Sequence, residues 1–212
     1  ESRDQTLVFH AMWAKSCFLP ILLQFGAKVD SVNAMGQTPL LFGYRPELLA
    51  HARLLMEWGA EFSNSLASEN STPKDAFIQR CIHFGNNELA DLVRSEFGGR
   101  RCEVRNFGAR PDLNGRACIV EEYLSEEDQY HIILEGSGET VLVGSENLRR
   151  RDRTPDDCGY YILWVNGNVE VVDFDSTEEC QAFISSYKPY TWIQRSLADL
   201  TSLINSSWDL ST

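Results

Sequence analysis

A period of about 33 residues in the first half of the chain constrains its fold more than any other feature. Thr6, Thr38 and Thr72 are separated by 32 and 34 residues, and the Gly26-Ala27 and Gly59-Ala60 dipeptides lie 33 residues apart. Self-similarity at such a period is typical of repeat proteins, in which each copy is a small unit that is stable only against its neighbours. We therefore expect three stacked copies within residues 1–98.

The second copy, residues 32–60, predicts a pair of helices. Its Thr38-Pro39 dipeptide indicates a helix start, because threonine can cap free backbone N–H groups and proline at the first helical position loses no hydrogen bond. The apolar residues between Leu54 and Trp58 follow helical spacing and form a stripe that needs a neighbouring copy. Gly59 then predicts the helix end, since glycine adopts a positive φ without a Cβ clash.

These residues resemble the ankyrin-repeat family. The resemblance rests on Gly36-Gln37-Thr38-Pro39-Leu40, on Leu54-Leu55-Met56-Glu57-Trp58-Gly59-Ala60, and on the related openings Gln5-Thr6-Leu7 and Ser71-Thr72-Pro73. The chain departs from the family at Leu41, where histidine is usual, and at Leu7, where proline is usual. The resemblance implies a short α-solenoid that binds other proteins and is not an enzyme.

The resemblance also implies a binding groove, lined by the turn tips and by the exposed side of each first helix. Counted from the three threonines, Trp13, Arg45 and Gln79 occupy matching positions on that side, and so do Met12 and Tyr44. Tryptophan and arginine in one column are typical of an interaction hot spot. The alternative is that Trp13 packs against its own or the next repeat.

After Gly98-Gly99 the hydrophobic pattern changes from helical to alternating. It predicts strands within 101–105, 117–123, 129–134 and 140–143, with turns between them. Residues 99–153 therefore resemble the small SH3-like β-barrels, whose pattern includes elements such as Asn114-Gly115 and Asn147-Leu148. Barrels of this type bind peptides or stand between other modules.

Residues 154–212 predict a third module. Strands at 160–165 and 169–174 flank Asn166-Gly167-Asn168, which is a strong hairpin signal. Ser176-Thr177-Glu178-Glu179 resembles a capping box and opens a helix that runs to Tyr187. A second helical pattern follows at about 192–205. The predicted fold class is thus α+β and multidomain: an ankyrin-like solenoid, an SH3-like barrel, and a β-hairpin with two helices.

The net charge of −12 argues against general nucleic-acid binding, because an acidic chain repels phosphate backbones. A local basic patch can still exist within an acidic chain. The basic side chains of one short segment form such a cluster: Arg149, Arg150, Arg151 and Arg153. They can contact nucleic acid, or they can pair with the acidic C-terminal module; both hypotheses stay open.

No residue pattern predicts catalysis, a metal site or a cofactor. The six cysteines form no CxxC pair and have no histidine at zinc-ligand spacing, so we expect reduced, mostly buried thiols. His10, His51 and His83 are spread over the three repeats. No apolar run is long enough for a membrane span.

The sequence therefore predicts a non-catalytic adaptor or scaffold that works as a subunit of a larger hetero-complex. The alternative is an accessory protein that contacts nucleic acid through the cluster at 149–153. The cysteine usage predicts a reducing, intracellular compartment, with the cytoplasm favoured. Because the chain starts at Glu1 without methionine, a removed targeting segment and an organellar location stay open.

Overall fold

The computed structural model describes residues 3–13, 18–63, 71–165, 168–174 and 176–187. The protein is a mixed α+β fold in which helices come first, an antiparallel sheet follows, and a hairpin with one further helix closes the described part. The predicted α+β class is confirmed. The predicted helix at about 192–205 lies outside the described residues.

The N-terminal half contains consecutive helices that contact each other in pairs. The α-helices are α1 (Arg3–Ala11), α2 (Phe18–Gln24), α3 (Leu49–Glu57), α4 (Pro73–His83) and α5 (Asn87–Arg94). Two 3₁₀ helices, Pro39–Tyr44 and Pro46–Leu48, precede α3 and pack against it. The second copy thus starts with a 3₁₀ helix. This helix ends at Tyr44 because Pro46 favours an extended backbone at Arg45, whose φ is −75° and ψ 132°.

The turn residues of this half behave differently from one another. Gly59 follows α3 with a φ of +86°, which confirms the predicted helix end. Thr72 caps α4 in a reciprocal arrangement with Asp75, whose backbone N–H lies 3.1 Å from the threonine hydroxyl oxygen. Thr38 makes no such bond, and its hydroxyl is buried without a partner. The prediction that Thr38 caps its helix is therefore wrong.

The middle of the chain is one five-stranded antiparallel sheet. Its strands are β1 (Arg101–Val104), β2 (Ala117–Leu124), β3 (Gln129–Leu134), β4 (Thr140–Gly144) and β5 (Leu148–Arg150). All four predicted strands are confirmed. Their order is β4-β3-β2-β1-β5, so the described strands form an open sheet, with β4 and β5 at its edges. Alternate residues such as Val104, Val120 and Ile132 fill its core.

The C-terminal hairpin packs on the N-terminal helices. Strands β6 (Tyr160–Val165) and β7 (Asn168–Asp173) pair in register, and α6 (Thr177–Tyr187) follows them. Buried Gln24 donates to the Ile162 carbonyl at 3.1 Å and accepts from the Ile162 N–H at 2.7 Å. The amide side chain thus pairs with β6 as a neighbouring strand would. Because an isolated hairpin is unstable in water, these contacts explain how the hairpin is held.

The five described cysteines are free and buried, as predicted: Cys81, Cys102, Cys118, Cys158 and Cys180. Cys17 lies outside the described residues. In the part of the chain that the structure covers, no helix is long and apolar enough to cross a membrane.

Candidate partner-binding surface

The structure separates the five predicted groove residues into two groups. Trp13, Arg45 and Gln79 are exposed, and Trp13 keeps 52% of its surface accessible. Met12 is fully buried in the helical core, and Tyr44 is only 7% exposed. The prediction that Met12 and Tyr44 line an accessible groove is therefore wrong, because both side chains are buried in the packing between helices.

Trp13 belongs to a cluster of aromatic rings. Its ring centroid lies 5.3 Å from that of Phe42 at an interplanar angle of 69°. Phe9 contacts the same phenylalanine at 6.0 Å and 80°. Edge-to-face contacts of this kind stabilise aromatic packing. One side of the indole packs on its neighbours, as the packing alternative expects, while about half of it faces solvent. The hot-spot role of Trp13 stays a prediction.

A second cluster surrounds Tyr44. The ring of Phe84 lies 4.6 Å from the Tyr44 ring and is itself 47% exposed. The guanidinium carbons of Arg80 and Arg45 lie 4.8 and 5.8 Å from the Tyr44 centroid, within cation–π distance. His83 meets the edge of Phe84 at 5.0 Å. Exposed apolar and cationic groups therefore lie side by side.

Sequence reasoning missed Arg80 and Phe84. Both lie at the C-terminal end of α4, where the helix stops before Gly85. The available signal was Phe84 itself, an aromatic residue beside a helix-ending glycine and off the apolar stripe that contains Phe77 and Cys81. The sequence does not show that Phe84 contacts Tyr44, because Tyr44 is 40 residues earlier in the chain.

The backbone beneath both clusters is fixed. Phe42 and Tyr44 belong to the same 3₁₀ helix, which passes so close to α3 that a Cβ on Gly43 would lie 2.6 Å from the Cβ of Ala52. Buried Asn86 donates to the Gly43 carbonyl at 3.3 Å. The aromatic rings are therefore presented from a rigid base, which lowers the entropy cost of binding.

The arginines of the predicted basic patch are all ion-paired. Each of its arginines pairs with carboxylates at 2.7–3.1 Å: Arg149 with Glu103, Arg150 with Glu61 and Asp152, Arg151 with Glu103 and Asp157, and Arg153 with Glu57 and Glu135. Each guanidinium of the cluster is thus already paired, and the contact with nucleic acid stays a prediction. Pairing with the acidic C-terminal module is confirmed for the Arg151–Asp157 pair.

Arg150 and Arg153 of this cluster, together with Arg100, contact the C-terminal end of α3. Arg100 donates to the carbonyls of Met56 at 3.2 Å and Ala60 at 2.7 Å. Arg150 donates to the Gly59 carbonyl at 3.2 Å, and the backbone N–H of Arg153 donates to the Glu57 carbonyl at 2.9 Å. The last carbonyls of a helix carry partial negative charge and favour nearby cations. The cluster thus joins the helices to the sheet.

Buried charge completes this junction. Arg101 is fully buried between Glu135 at 2.8 Å and Asp157 at 3.1 Å. Burial alone would raise the pKa of Asp157, but hydrogen bonds and charge attraction from Arg101 and Arg151 lower it. Burial raises the pKa of Glu57 despite the nearby Arg153 guanidinium. The junction therefore depends on matched charges.

Among the described residues, no group of three or more His, Cys, Asp or Glu side chains could hold a metal ion. No protein-family model matches the chain, and no similar protein is found among the curated proteins.

Proposed function

We propose that the chain is a non-catalytic adaptor or scaffold subunit that binds another protein through the exposed rings of its helical half. The observation that carries this proposal is the exposure of Trp13 and Phe84, at 52% and 47%, next to the partly buried Phe42 and the buried Tyr44. Large aromatic side chains that are both exposed and fixed are enriched at protein–protein interfaces. An exposed ring of this size gains binding energy when a partner covers it.

Residues 1–98 are proposed to form a short ankyrin-like stack. Two features support this proposal: the helices contact each other in pairs, and Gly26 and Gly59 adopt nearly identical left-handed φ values of +85° and +86° after α2 and α3. Residues 99–153 are proposed to be SH3-like. In support, β1 lies between β2 and β5, which brings the start and the end of this segment together.

The non-catalytic assignment is supported by the state of two of the described thiols, those of Cys81 and Cys102. The described cysteines are buried, and burial raises the pKa of Cys81 and of Cys102 to about 12. A thiol with such a pKa is a poor nucleophile at neutral pH. His10, His51 and His83 lie on three different helices, α1, α3 and α4.

The nucleic-acid hypothesis is not favoured by any observation. Its arginines are ion-paired, and two of them, Arg150 and Arg153, contact the end of α3. Phosphate binding would have to displace those carboxylates and weaken the junction between helices and sheet. Adaptor function is therefore the better supported of the two hypotheses.

A variant of the exposed indole tests the adaptor proposal. The tagged full chain is used to capture proteins from its native source, and the captured proteins are quantified by mass spectrometry. Trp13→Ser is compared with Val171→Ser, which replaces an apolar residue of similar exposure on β7. We expect Trp13→Ser to lose a specific set of proteins that the wild-type chain and Val171→Ser both retain.

Melting temperatures of the two variants are measured alongside, so that loss of folding is separated from loss of binding. Equal capture by all three chains would contradict the proposal, provided that a second variant, Phe84→Ser, behaves in the same way. Loss of the same proteins from Trp13→Ser, Phe84→Ser and the Val171→Ser control would indicate unfolding or nonspecific capture instead.

A further inference from the structure

Arg80 differs from the other arginines whose side chains the structure describes. Each of the others pairs with a carboxylate or donates to a backbone carbonyl. Arg80 has no oxygen partner among the described residues, and its guanidinium lies over the Tyr44 ring at 4.8 Å. In a chain with a net charge of −12, acidic side chains to pair with it are abundant. A guanidinium with no carboxylate or carbonyl partner, placed over an aromatic ring, is therefore unusual among the described arginines.

The surroundings of Arg80 combine charge with apolar surface. Arg45 approaches the same Tyr44 ring from a different element and has one carboxylate nearby, that of Glu47 at 3.6 Å. Phe84 packs on Tyr44 and leaves nearly half of its surface open. Two arginines and one glutamate leave a surplus of one positive charge beside an exposed ring.

We propose that Arg80, Arg45 and Phe84 bind an acidic peptide segment of a partner protein. An aspartate or glutamate carboxylate accepts hydrogen bonds from Arg80, and an apolar side chain next to it covers Phe84. This inference rests on the adaptor function proposed above and specifies the chemistry of the partner. We name these three residues the Arg80 surface.

The geometry favours a carboxylate as the anion. The planar guanidinium presents parallel N–H donors that match both oxygens of a carboxylate, and its cation–π contact with Tyr44 restricts its position in advance. Because Glu47 already offsets Arg45, the surface complements a single negative charge better than a doubly charged phosphate. The apolar neighbour adds specificity, since covering Phe84 removes its exposed ring from water.

The base of the surface is held in place by a hydrogen bond between two elements. Asn86 joins the start of α5 to Gly43, and Tyr44 follows directly in the chain. The turn that carries Arg45 and the end of α4 that carries Arg80 are thereby fixed to each other. The entropy cost of binding would therefore come only from ordering the peptide and from fixing a few side-chain rotamers.

The test selects peptides from a phage-displayed random library on the full-length chain. Enriched peptides are synthesised, and their dissociation constants are measured for wild type, Arg80→Gln, Arg80→Lys and Arg94→Gln. Arg94 is the matched control, because it is an exposed arginine on the neighbouring α5 that already pairs with Asp91 at 3.4 Å. Melting temperatures are recorded for each variant.

We expect enriched peptides to carry aspartate or glutamate next to an apolar residue. Arg80→Gln should weaken their binding by about tenfold to a hundredfold, the range for loss of a charged hydrogen-bonded pair. Arg80→Lys should lose less affinity, since lysine keeps the positive charge but lacks the planar guanidinium that binds both carboxylate oxygens. Arg94→Gln should bind within about twofold of wild type, and replacing the peptide's acid by its amide should reproduce the Arg80→Gln loss.

Five results would overturn the inference. Enriched peptides without an acidic residue would contradict the carboxylate, and unchanged affinity in both Arg80 variants would contradict the surface. No enrichment over a blank support would contradict peptide binding altogether. Peptides whose binding is lost with Trp13→Ser but kept with Arg80→Gln would overturn this inference while leaving the adaptor function intact. A phosphorylated peptide that binds more tightly than its glutamate counterpart would contradict the choice of anion.

Discussion

The guanidinium of Arg153 lies 2.9 Å from the carboxylate of Glu57, which is 96 residues earlier in the chain. Arg153 is also 2.7 Å from Glu135 and donates to the carbonyl of Cys158. One buried side chain thus connects α3, the end of β3 and the approach to the C-terminal hairpin. The three predicted modules are joined through matched buried charges as well as through apolar packing.

Removing this guanidinium should destabilise the whole molecule. Arg153→Met keeps a long apolar side chain but leaves Glu57 buried without its cation, and we expect a loss of about 3–5 kcal/mol in unfolding free energy. Arg149→Met is the matched control, because its pair with Glu103 is exposed on the arginine side; there we expect about 0–1 kcal/mol. Urea unfolding measures both. Similar losses in the two variants would contradict the role assigned to Arg153.

Gly59 should tolerate substitution less well than another glycine that ends a helix. Both Gly59 and Gly85 have positive φ, at +86° and +79°, so alanine is strained at either position. A Cβ on Gly59 would in addition lie 2.8 Å from a carboxylate oxygen of Asp152, whereas nothing lies within 4 Å at Gly85. We expect Gly85→Ala to cost about 1 kcal/mol and Gly59→Ala clearly more. The difference between the two losses, measured by thermal unfolding, isolates the contact with Asp152. Equal losses in Gly59→Ala and Gly85→Ala would show that the Asp152 side chain moves aside without cost.

The two Thr-Pro dipeptides should respond in opposite directions. Thr72→Ala removes the cap of α4 and should cost about 0.5–2 kcal/mol. Thr38→Val replaces a buried hydroxyl that has no hydrogen-bond partner, so we expect no loss or a gain in unfolding free energy. Both variants are compared by urea unfolding. A loss in Thr38→Val as large as that in Thr72→Ala would indicate that the Thr38 hydroxyl has a partner after all.

The predictable parts of this molecule are those that local pattern determines. Alternation along β2 and β3 predicted their position, and Gly59 predicted the end of α3, because period and turn chemistry act over a few residues. Pairing across the chain could not be predicted in the same way. Arg149 to Arg153 appear as a basic run in the sequence, but their partners Glu57, Glu61 and Glu135 are distant in sequence.

The candidate surface follows the same division. Trp13, Arg45 and Gln79 were found from repeat spacing, which gives positions along the copies. Spacing alone does not say which of two adjacent residues faces the core, so Met12 and Tyr44 were placed wrongly. Arg80 was missed because its importance depends on one missing ion pair, which only the folded arrangement reveals.

His51, on α3, should make the fold sensitive to acid. Both of its ring nitrogens are buried without a hydrogen-bond partner, and burial lowers the pKa of the imidazole below its usual value. The unfolded chain therefore takes up a proton at a higher pH than the folded protein does, and unfolding free energy should fall as pH decreases from about 7 to about 5. At higher pH the histidine is neutral in both states and contributes no pH dependence.

His51→Leu removes the titrating group and replaces two unpaired nitrogens by apolar atoms. We expect its unfolding free energy at pH 7 to lie within about 1 kcal/mol of wild type or above it, and the part of the acid sensitivity that His51 causes to disappear. His83→Gln, which removes an exposed histidine from α4, serves as the control and should keep the wild-type loss. The measurement is urea unfolding at several pH values. If His51→Leu loses stability between pH 7 and pH 5 as steeply as wild type, the sensitivity does not arise from His51. The junction carboxylate Asp157 does not account for that range, because its lowered pKa makes the fold lose stability only at more acidic pH.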